Sequence, residues 1–165
     1  MPIVLLRVDE RLIHGQVVVA WGARLHPGLI VVVDDELAGS EWEQELYTLG
    51  LPGDMDALFF DVSEGRKRLD KWRHEEARII LLTRDMETMS RVAEGGVLSG
   101  EEVNVGGVHD APGRSPVLPY VFLSRTEIQA IRRLEAEGVR VTARDLPGSE
   151  SVELSRLVDE STWEQ

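Results

Sequence analysis

The residue most suited to chemistry in this chain is His14. It follows an apolar segment over residues 3–8 and precedes an apolar helical pattern that begins near Gln16. Arg11 comes three residues before it and Gly15 directly after it. Open α/β sheets bind ligands where strands end, and a helix N-terminus offers N–H groups and a positive dipole to an anion. These features suit a residue that carries a phosphoryl group. The spacing alone is explained more simply if His14 is a turn residue and Arg11 is a solvated surface charge.

Phosphoryl transfer to a histidine requires a positioned nucleophile and positive charge near the phosphoryl oxygens. The neutral imidazole of His14 would be the nucleophile, and the planar guanidinium of Arg11 would hold two oxygens at once. Backbone N–H groups of residues 13–17 would add further donors. Asp9 and Glu10 flank the loop, and a carboxylate there could orient His14, although capping the turn is the simpler role.

The elements that must position these residues follow from hydrophobic patterning. Apolar runs rich in β-branched residues alternate with helical patterns, and the first four runs are nearly continuous, which is typical of strands buried on both faces. Strands are predicted at 3–8, 29–34, 57–62, 78–83, 102–105, 120–123 and 139–144. The fold class is therefore predicted as α/β, a three-layer α/β/α arrangement around an open, mainly parallel, doubly wound sheet of about six to seven strands.

Helix start and stop signals support this alternation. Helices are predicted at 41–49, 64–73, 86–94 and 125–137, with Ser40, Ser63, Asp85 and Ser124 as N-caps and Gly138 as the final stop. The pairs Ser40/Glu43 and Ser124/Glu127 predict capping boxes. Gly95–Gly96 is interpreted as a helix C-cap and Gly106–Gly107 as a strand-exit turn. Residues 106–119 form the one long irregular segment, a length that is often functional.

Composition limits the classes of function. The 165 residues suit one domain, 1–165, and the net charge of −12 argues against a nucleic-acid partner. The chain has no cysteine, so neither disulfides nor thiol chemistry are expected. The start of the chain does not resemble a signal peptide, and no apolar run approaches a membrane span. A cytoplasmic protein is expected, with any membrane role through partners.

Other chemistry finds no support in the motifs. The four histidines are far apart without a ligand spacing, so no metal site is predicted. His26 and His74 are expected at the surface, whereas His109 could line the site from the long loop. No Walker A, GxGxxG or GxSxG motif is present, and no cofactor is predicted.

One competing constellation consists of acidic residues and a threonine at strand ends. Asp34, Asp35, Asp61 and Thr83 resemble the set of phospho-aspartate receiver domains. Those domains also need a lysine after the next strand, and no lysine follows Lys71. Helix-capping and solvated loop carboxylates are therefore the preferred interpretation, although Asp34 could border the site.

A family resemblance favours the phosphoryl hypothesis. The segment RVDERLIHGQV at residues 7–17 resembles the RIDDRLIHGQV signature of IIB components in the mannose/fructose/sorbose family of the bacterial sugar phosphotransferase system. Residues 30–36 (IVVVDDE), 94–97 (EGGV) and 103–107 (VNVGG) resemble further family segments in the same order. The resemblance spans residues 1 to about 157.

The resemblance implies a function and partners. His14 would take a phosphoryl group, on Nδ1, from a phosphohistidine of a separate IIA protein and pass it to a hexose-type sugar that enters through membrane subunits IIC and IID. Arg11 would stabilise the phosphate, no cofactor would be needed, and a homo-oligomer is possible. The lining candidates are Asp9, Ile13, Gly15, Gln16, Thr83 and Arg84, of which the last two require strands one and four to be neighbours.

Alternatives remain within and outside this family. Residues 108–123 (VHDAPGRSPVLPYVFL) depart from the expected family loop, which leaves the sugar open. A regulatory phosphoacceptor would use the same His14 without transport, and a small-molecule binding module would use it only as a ligand contact. Neighbouring IIC and IID genes would favour transport over regulation.

Overall fold

A computed structural model describes residues 2–158 of the chain. Strands alternate with helices along it, as predicted. The strands are β1 (Ile3–Asp9), β2 (Leu29–Val33), β3 (Asp56–Phe60), β4 (Ile79–Thr83), β5 (Glu102–Gly107), β6 (Ser115–Leu118), β7 (Val121–Leu123), β8 (Arg140–Ala143) and β9 (Val152–Glu153). The α-helices are α1 (Gly22–Leu25), α2 (Glu41–Leu49), α3 (Val62–Arg73), α4 (Met86–Val92) and α5 (Arg125–Ala136), and a π-helix (Gln16–Trp21) runs directly into α1.

Seven of these strands form one sheet in the order β3-β2-β4-β1-β5-β8-β9. All neighbours pair in parallel except β8 and β9, which are antiparallel. The central strands β4 and β2 are buried on both faces, which explains their continuous apolar sequences. The predicted α/β class, with an open and mainly parallel sheet, is confirmed.

Two hydrophobic cores lie on opposite faces of the sheet. Along β1, Leu6 and Val8 point into the core shared with α3, α4 and α5. Leu5 points to the other face, where the π-helix and α2 pack. Because successive strand residues alternate between faces, Arg7 and Asp9 also point to that second face. The predicted three-layer arrangement therefore places two polar β1 side chains beneath the π-helix.

The sequence signals for helix starts predicted some of the helix caps correctly and others wrongly. The helices at 41–49 and 125–137 lie where they were predicted, Asp85 caps α4, and the Ser124/Glu127 capping box is present. The prediction of Ser63 as a cap was wrong, because the side chain of Asp61 accepts from the N–H of Glu64 and α3 begins at Val62. Ser40 precedes α2 but its side chain makes no capping bond, so that predicted box was wrong.

The segment 106–119 was predicted as irregular, and the structure corrects this. Gly106 and Gly107 are the last residues of β5 rather than a turn, and β6 forms an antiparallel hairpin with β7. Gly95 has φ of 81° but lies in the 3-10 turn Glu94–Gly96, beyond Ala93, which ends α4, so its interpretation as the helix C-cap was wrong. The strand predicted at 120–123 is present as β7, whereas β6 was missed because it is short and contains Pro116, which disfavours a strand assignment.

Candidate functional site

The loop that follows β1 is a tight turn with an unusual backbone. The N–H of Leu12 donates to the carbonyl of Asp9 at 3.0 Å, and Leu12 has φ of 55°, a left-handed conformation that side chains rarely adopt. The Leu12 side chain is fully buried in the core under the π-helix. Burial of this apolar side chain offsets the backbone strain, and the turn folds His14 back over β1.

His14 lies against the carboxylate of Asp9. Its Nε2 atom is 2.8 Å from Oδ2 of Asp9, and 14% of the His14 side chain is exposed. Burial alone would raise the pKa of the Asp9 carboxyl, but the hydrogen bond from His14 and the charge of Arg7 together lower that pKa below its usual range. An ionised carboxylate only accepts hydrogen bonds, so Nε2 is the nitrogen that carries the proton in the neutral ring, and the lone pair is then on Nδ1.

Asp9 has both of the roles that were considered for it. Its Oδ1 atom accepts from the N–H of Arg11 at 3.0 Å, which caps the turn. Its Oδ2 atom contacts Nε2 of His14 and so orients the ring, which is the second role that the sequence allowed. The two oxygens divide these functions because the side chain points inward, beneath the loop, where both groups are within reach.

Arg7, which sequence analysis did not identify, lies beneath this pair and is fully buried. Its Nη2 atom is 3.0 Å from Oδ2 of Asp9, and Nη1 donates to Oδ1 of Asn104 at 2.7 Å. Nε also donates to Asp9, and the two remaining bonds go to the carbonyls of Arg144 and Asp145. Burial lowers the pKa of the guanidinium and Asp9 opposes that shift. With its hydrogen-bonding capacity satisfied, Arg7 remains a fixed cation under Asp9.

Gly106 and Trp21 enclose this guanidinium. A Cβ atom at Gly106 would lie 1.9 Å from Cζ of Arg7, so only glycine permits the strand to pass so close. The Trp21 ring has its centroid 5.4 Å from Cζ, and Nε1 of Trp21 donates to the carbonyl of Asp145 at 2.9 Å. The end of the π-helix is thereby fastened to the same loop that holds Arg7.

Arg11 lies in the turn between β1 and His14, and its part in the site stays a prediction. Its side chain is exposed and makes no hydrogen bond or ion pair within residues 2–158. The N–H groups of Val17 and Val18 are used, because both donate to the carbonyl of His14 at 2.9 and 3.0 Å. Of the predicted backbone donors, those of residues 13–15 have no acceptor within the same range.

The remaining lining candidates differ in position. Ile13 is buried in the core beneath the π-helix, and Gly15 is exposed at the N-cap of that helix. Gln16 has a buried Oε1 atom without a hydrogen-bond partner in the described part of the chain. The role of these residues in lining the site stays a prediction.

Strands β1 and β4 are neighbours, as the prediction for Thr83 and Arg84 required, and Val8 pairs with Thr83. The Thr83 hydroxyl donates to the carbonyl of Asp85 at 2.9 Å, and Nε of Arg84 is 3.2 Å from Oδ2 of Asp34. The Thr83 hydroxyl and the Arg84 guanidinium therefore each interact with a neighbouring protein group in this structure. Participation of Thr83 and Arg84 in the site stays a prediction.

The loop after β5 reaches the site through Glu10. Arg114 pairs with Glu10 and, at 2.8 Å, with Glu127 of the α5 capping box. Nδ1 of His109 is 3.0 Å from the other oxygen of Glu10. The β6–β7 region is thus fastened beside the His14 loop, and His109 lies near the site without contacting His14.

The acidic residues of the receiver-like set have structural roles. Asp34 accepts from the N–H of Leu37 at 2.9 Å, and Asp35 pairs with Arg91 at 2.9 Å and accepts from Val62. With Asp61 capping α3, these roles agree with the preferred interpretation as caps, although Asp34 is buried rather than solvated. Among residues 2–158, no group of acidic and histidine side chains is arranged to hold a metal ion.

Comparison with known proteins decides which family the chain belongs to. The family model described as "PTS system sorbose subfamily IIB component" matches residues 3–165. The chain belongs to this IIB family. Such components are phosphotransferases of the sugar phosphotransferase system, and they work with IIA and IIC/IID partners.

Named relatives support the assignment of this IIB chain. It is 30% identical over 155 residues to the "N-acetylgalactosamine-specific phosphotransferase enzyme IIB component 1" of Escherichia coli K12, covering 92% of this chain and 96% of that protein. It is also 30% identical to the "PTS system mannose-specific EIIAB component" of the same strain, over 96% of this chain and 49% of that protein. The IIB chain therefore spans about half of the EIIAB relative.

Solved structures share the fold of this IIB chain. The IIBSor domain of the sorbose permease from Klebsiella pneumoniae matches with a TM-score of 0.86 and 25% identity, over 98% of each chain. The protein called manxB from Thermoanaerobacter tengcongensis matches with a TM-score of 0.82 and 33% identity, over 93% and 92% of the two chains. Within residues 2–158, no helix has the length and apolar character needed to cross a bilayer.

Proposed function

We propose that this IIB chain is a phosphohistidine carrier, a protein-Nπ-phosphohistidine–sugar phosphotransferase. Nδ1 of His14 accepts a phosphoryl group from a separate phosphorylated IIA protein and delivers it to a sugar bound by the IIC and IID membrane subunits. The observation that supports this most directly is the 2.8 Å contact between Nε2 of His14 and the buried Asp9 carboxylate. It leaves the nucleophilic lone pair on the other nitrogen, Nδ1.

In the accepting step, the Nδ1 lone pair of His14 attacks the phosphorus carried by the IIA phosphohistidine. The new N–P bond forms as the N–P bond to the donor breaks, and the donor imidazole keeps the electron pair. Positive charge develops on the His14 ring, whose Nε2–H points at the Asp9 carboxylate. Asp9 stabilises that charge and fixes the ring orientation, so little reorganisation is needed during transfer.

In the delivering step, the same protonated ring is a good leaving group. A sugar hydroxyl attacks phosphorus and releases its proton to water, the bond to Nδ1 breaks, and its electrons return to the imidazole. Arg7 matters here because its buried charge keeps Asp9 ionised. Asp9 therefore accepts a hydrogen bond without removing the ring proton that makes His14 a leaving group.

Arg11 and the free amides of residues 13–15 would contact the phosphoryl oxygens. Arg11 is exposed and unengaged, so its guanidinium can reach an incoming group, whereas Arg7 is enclosed and acts only through Asp9. The exposed Arg11 guanidinium and these amides would stabilise the negative charge on the phosphoryl oxygens during transfer. A single cation would not bind the phosphorylated form so tightly that it is trapped.

A hexose-type sugar is the proposed final acceptor. The names of the relatives specify N-acetylgalactosamine, mannose and fructose, which are hexoses or a hexose derivative. The chain itself would act in the cytoplasm, against the inner membrane through the IIC and IID subunits. The His14 side chain is 14% exposed, so its ring can be reached from solvent in turn by IIA and by the sugar site.

The site of phosphorylation tests the proposal. Incubation with the general phosphotransferase proteins, a cognate IIA and phosphoenolpyruvate should give an acid-labile, base-stable phosphoprotein. Nitrogen–phosphorus correlation by NMR should show the phosphoryl group on Nδ1 of His14, since Nε2 faces Asp9. Phosphate on Nε2 would contradict the proposed orientation, and absence of labelling would contradict the carrier function itself.

Arg11→Ala is expected to fold normally, because a solvated surface charge contributes little stability. Transfer from phosphorylated IIA, measured by rapid quench, should slow by about 10²–10³-fold, the scale of losing one electrostatic stabiliser. Arg11→Lys should recover part of the rate, since lysine keeps the charge without the planar fork. Exposed Arg24, on α1, provides a matched control, and Arg24→Ala should transfer at the parental rate.

A further inference from the structure

The outward face of α2 bears an apolar stripe that no part of residues 2–158 covers. Trp42 is 66% exposed, Leu46 58% and Leu49 81%. Their spacing of i, i+4 and i+7 places them in one row along the helix. A surface helix normally turns such a row toward the core, and tryptophan is enriched in protein interfaces. The orientation of this helix therefore indicates a binding surface.

The orientation of α2 is fixed by contacts on its other side. The ring of Tyr47 lies 6.5 Å from that of Phe59 on β3, and Nε2 of Gln44 donates to the carbonyl of Leu37 at 2.8 Å. These contacts hold the inner face of α2 against the sheet. The apolar stripe therefore faces solvent on a helix whose opposite face is packed against the sheet.

A groove runs beside the stripe, between α2 and the edge strand β3. It has a volume of about 590 Å³ and is open along the edge of the sheet. Its lining is formed by Glu41, Gln44, Glu45, Thr48, Leu49, Ala57 and Phe59. The groove combines an apolar floor with carboxylates on the helix side, so an occupant needs both apolar and cationic groups.

Charge around this surface is strongly one-sided. Between Arg24 and Arg66 the sequence contains ten Asp and Glu residues and no Lys or Arg. Glu41 and Glu45 lie on one flank of the stripe and Glu43 on the other, by helical geometry. A second copy of this surface, a nucleic acid and an anionic lipid would all be repelled, whereas a Lys/Arg-rich protein segment would be attracted.

We propose that α2 and β3 form the docking surface for the cytoplasmic loops of the IIC and IID membrane subunits. Such loops are rich in Lys and Arg, which matches the acidic rims, and an apolar side chain among them would fill the groove. This inference rests on the proposed function, in which phosphorylated His14 delivers its group to those subunits. It adds the place where the IIB chain is held while it does so.

The position of the surface suits that role. Three strand spacings separate β3 from β1, which is about 14 Å across the sheet. The π-helix and α2 pack on the same face, so a partner seated on α2 approaches the face of the sheet on which His14 contacts Asp9. Docking and phosphoryl delivery can therefore occur in the same complex.

Two double variants test the docking surface: Trp42→Ser with Leu46→Ser, and Glu41→Lys with Glu45→Lys. Sugar phosphorylation by the phosphorylated chain is measured with vesicles that contain the cognate IIC and IID subunits. Each double variant should raise the KM for the phosphorylated chain at least about tenfold and leave kcat close to parental. Transfer from phosphorylated IIA to His14 should stay within about twofold, because His14 is untouched.

Matched changes elsewhere provide the controls. Partly exposed Glu75 and exposed Glu76 follow α3, so Glu75→Lys with Glu76→Lys alters net charge equally, and Val97→Ser removes another exposed apolar side chain. Both controls should keep the parental KM. Added salt should raise the parental KM and affect the Glu41/Glu45 variant less.

Three results would overturn the docking proposal. The first is an unchanged KM in both double variants. The second is a slowing of phosphoryl transfer from IIA that is as large as the effect on sugar phosphorylation, which would assign the surface to IIA. The third applies if the vesicles give no sugar phosphorylation, in which case binding is measured by flotation. The proposal is then overturned if the parental chain binds subunit-containing vesicles no better than lipid-only vesicles, or if the double variants bind them as well as the parental chain does. Failure of the carrier function is recognised separately, as absence of label on His14.

Discussion

His14→Ala should abolish phosphorylation of the chain by phosphoenolpyruvate, the general phosphotransferase proteins and IIA. The loss is expected to be complete because, among the described histidines, only His14 lies against a fully buried carboxylate, whereas the Glu10 carboxylate that pairs with His109 is partly exposed. His14 also contributes little to the core, as its ring lies above Asp9 at the surface end of β1. The measurement is incorporation of radiolabelled phosphate into purified, folded protein, with folding verified by circular dichroism.

The other histidines are matched controls for that experiment. His26 ends α1, His74 follows α3 with Nδ1 against the carbonyl of Asp70, and His109 pairs with Glu10. Alanine at any of these three positions should leave labelling intact. Undiminished labelling of His14→Ala would refute the carrier mechanism, and loss of labelling in His109→Ala would show that the long loop contributes to transfer.

Asp9→Asn should have the largest combined effect on stability and transfer. It leaves the Arg7 guanidinium buried without its counter-ion, which should lower the free energy of unfolding by about 3–5 kcal/mol. The new amide can donate to Nε2 of His14, which moves the ring proton to Nδ1 and removes the nucleophilic lone pair. Transfer from phosphorylated IIA should therefore slow by at least about 10²-fold.

A double variant separates these two effects. Arg7→Met with Asp9→Leu removes both buried charges, so part of the stability lost in Asp9→Asn should return. Recovery will be incomplete, since Oδ1 of Asn104 loses its donor and the carbonyls of Arg144 and Asp145 each lose one of their two donors. Transfer should not recover, because His14 still lacks its carboxylate. Parental transfer rates in either variant would show that Asp9 is purely structural.

The pH dependence of stability follows from the lowered pKa of Asp9. A carboxyl whose pKa is depressed in the folded state stabilises the fold above its unfolded pKa, and that contribution is lost as the pH falls through the folded pKa. The stability difference between the parental chain and Asp9→Asn, measured by urea unfolding, should thus be full at neutral pH and diminish below about pH 4.

Local patterns in the sequence were enough to predict the layered fold and to propose the His14 loop as the reactive one. Continuous apolar runs identify strands buried on both faces, and capping residues identify helix starts, because both depend on neighbours within one or two turns of chain. The short spacing from Arg11 through His14 to Gly15 placed a candidate nucleophile at a strand end. The family signature around these residues then indicated the carrier hypothesis, and the family itself is confirmed.

Tertiary structure alone revealed what lies beneath His14. Arg7 sits inside an apolar run and has no local partner apart from Asp9. Asn104 and the carbonyl of Asp145 are 97 and 138 residues away along the chain, and only the order β4-β1-β5-β8 brings them together. Gly106 likewise has no sequence signal for its purpose, which is to admit a guanidinium from the neighbouring strand. Such contacts depend on which strands are adjacent, and local hydrophobic periodicity contains no information about strand order.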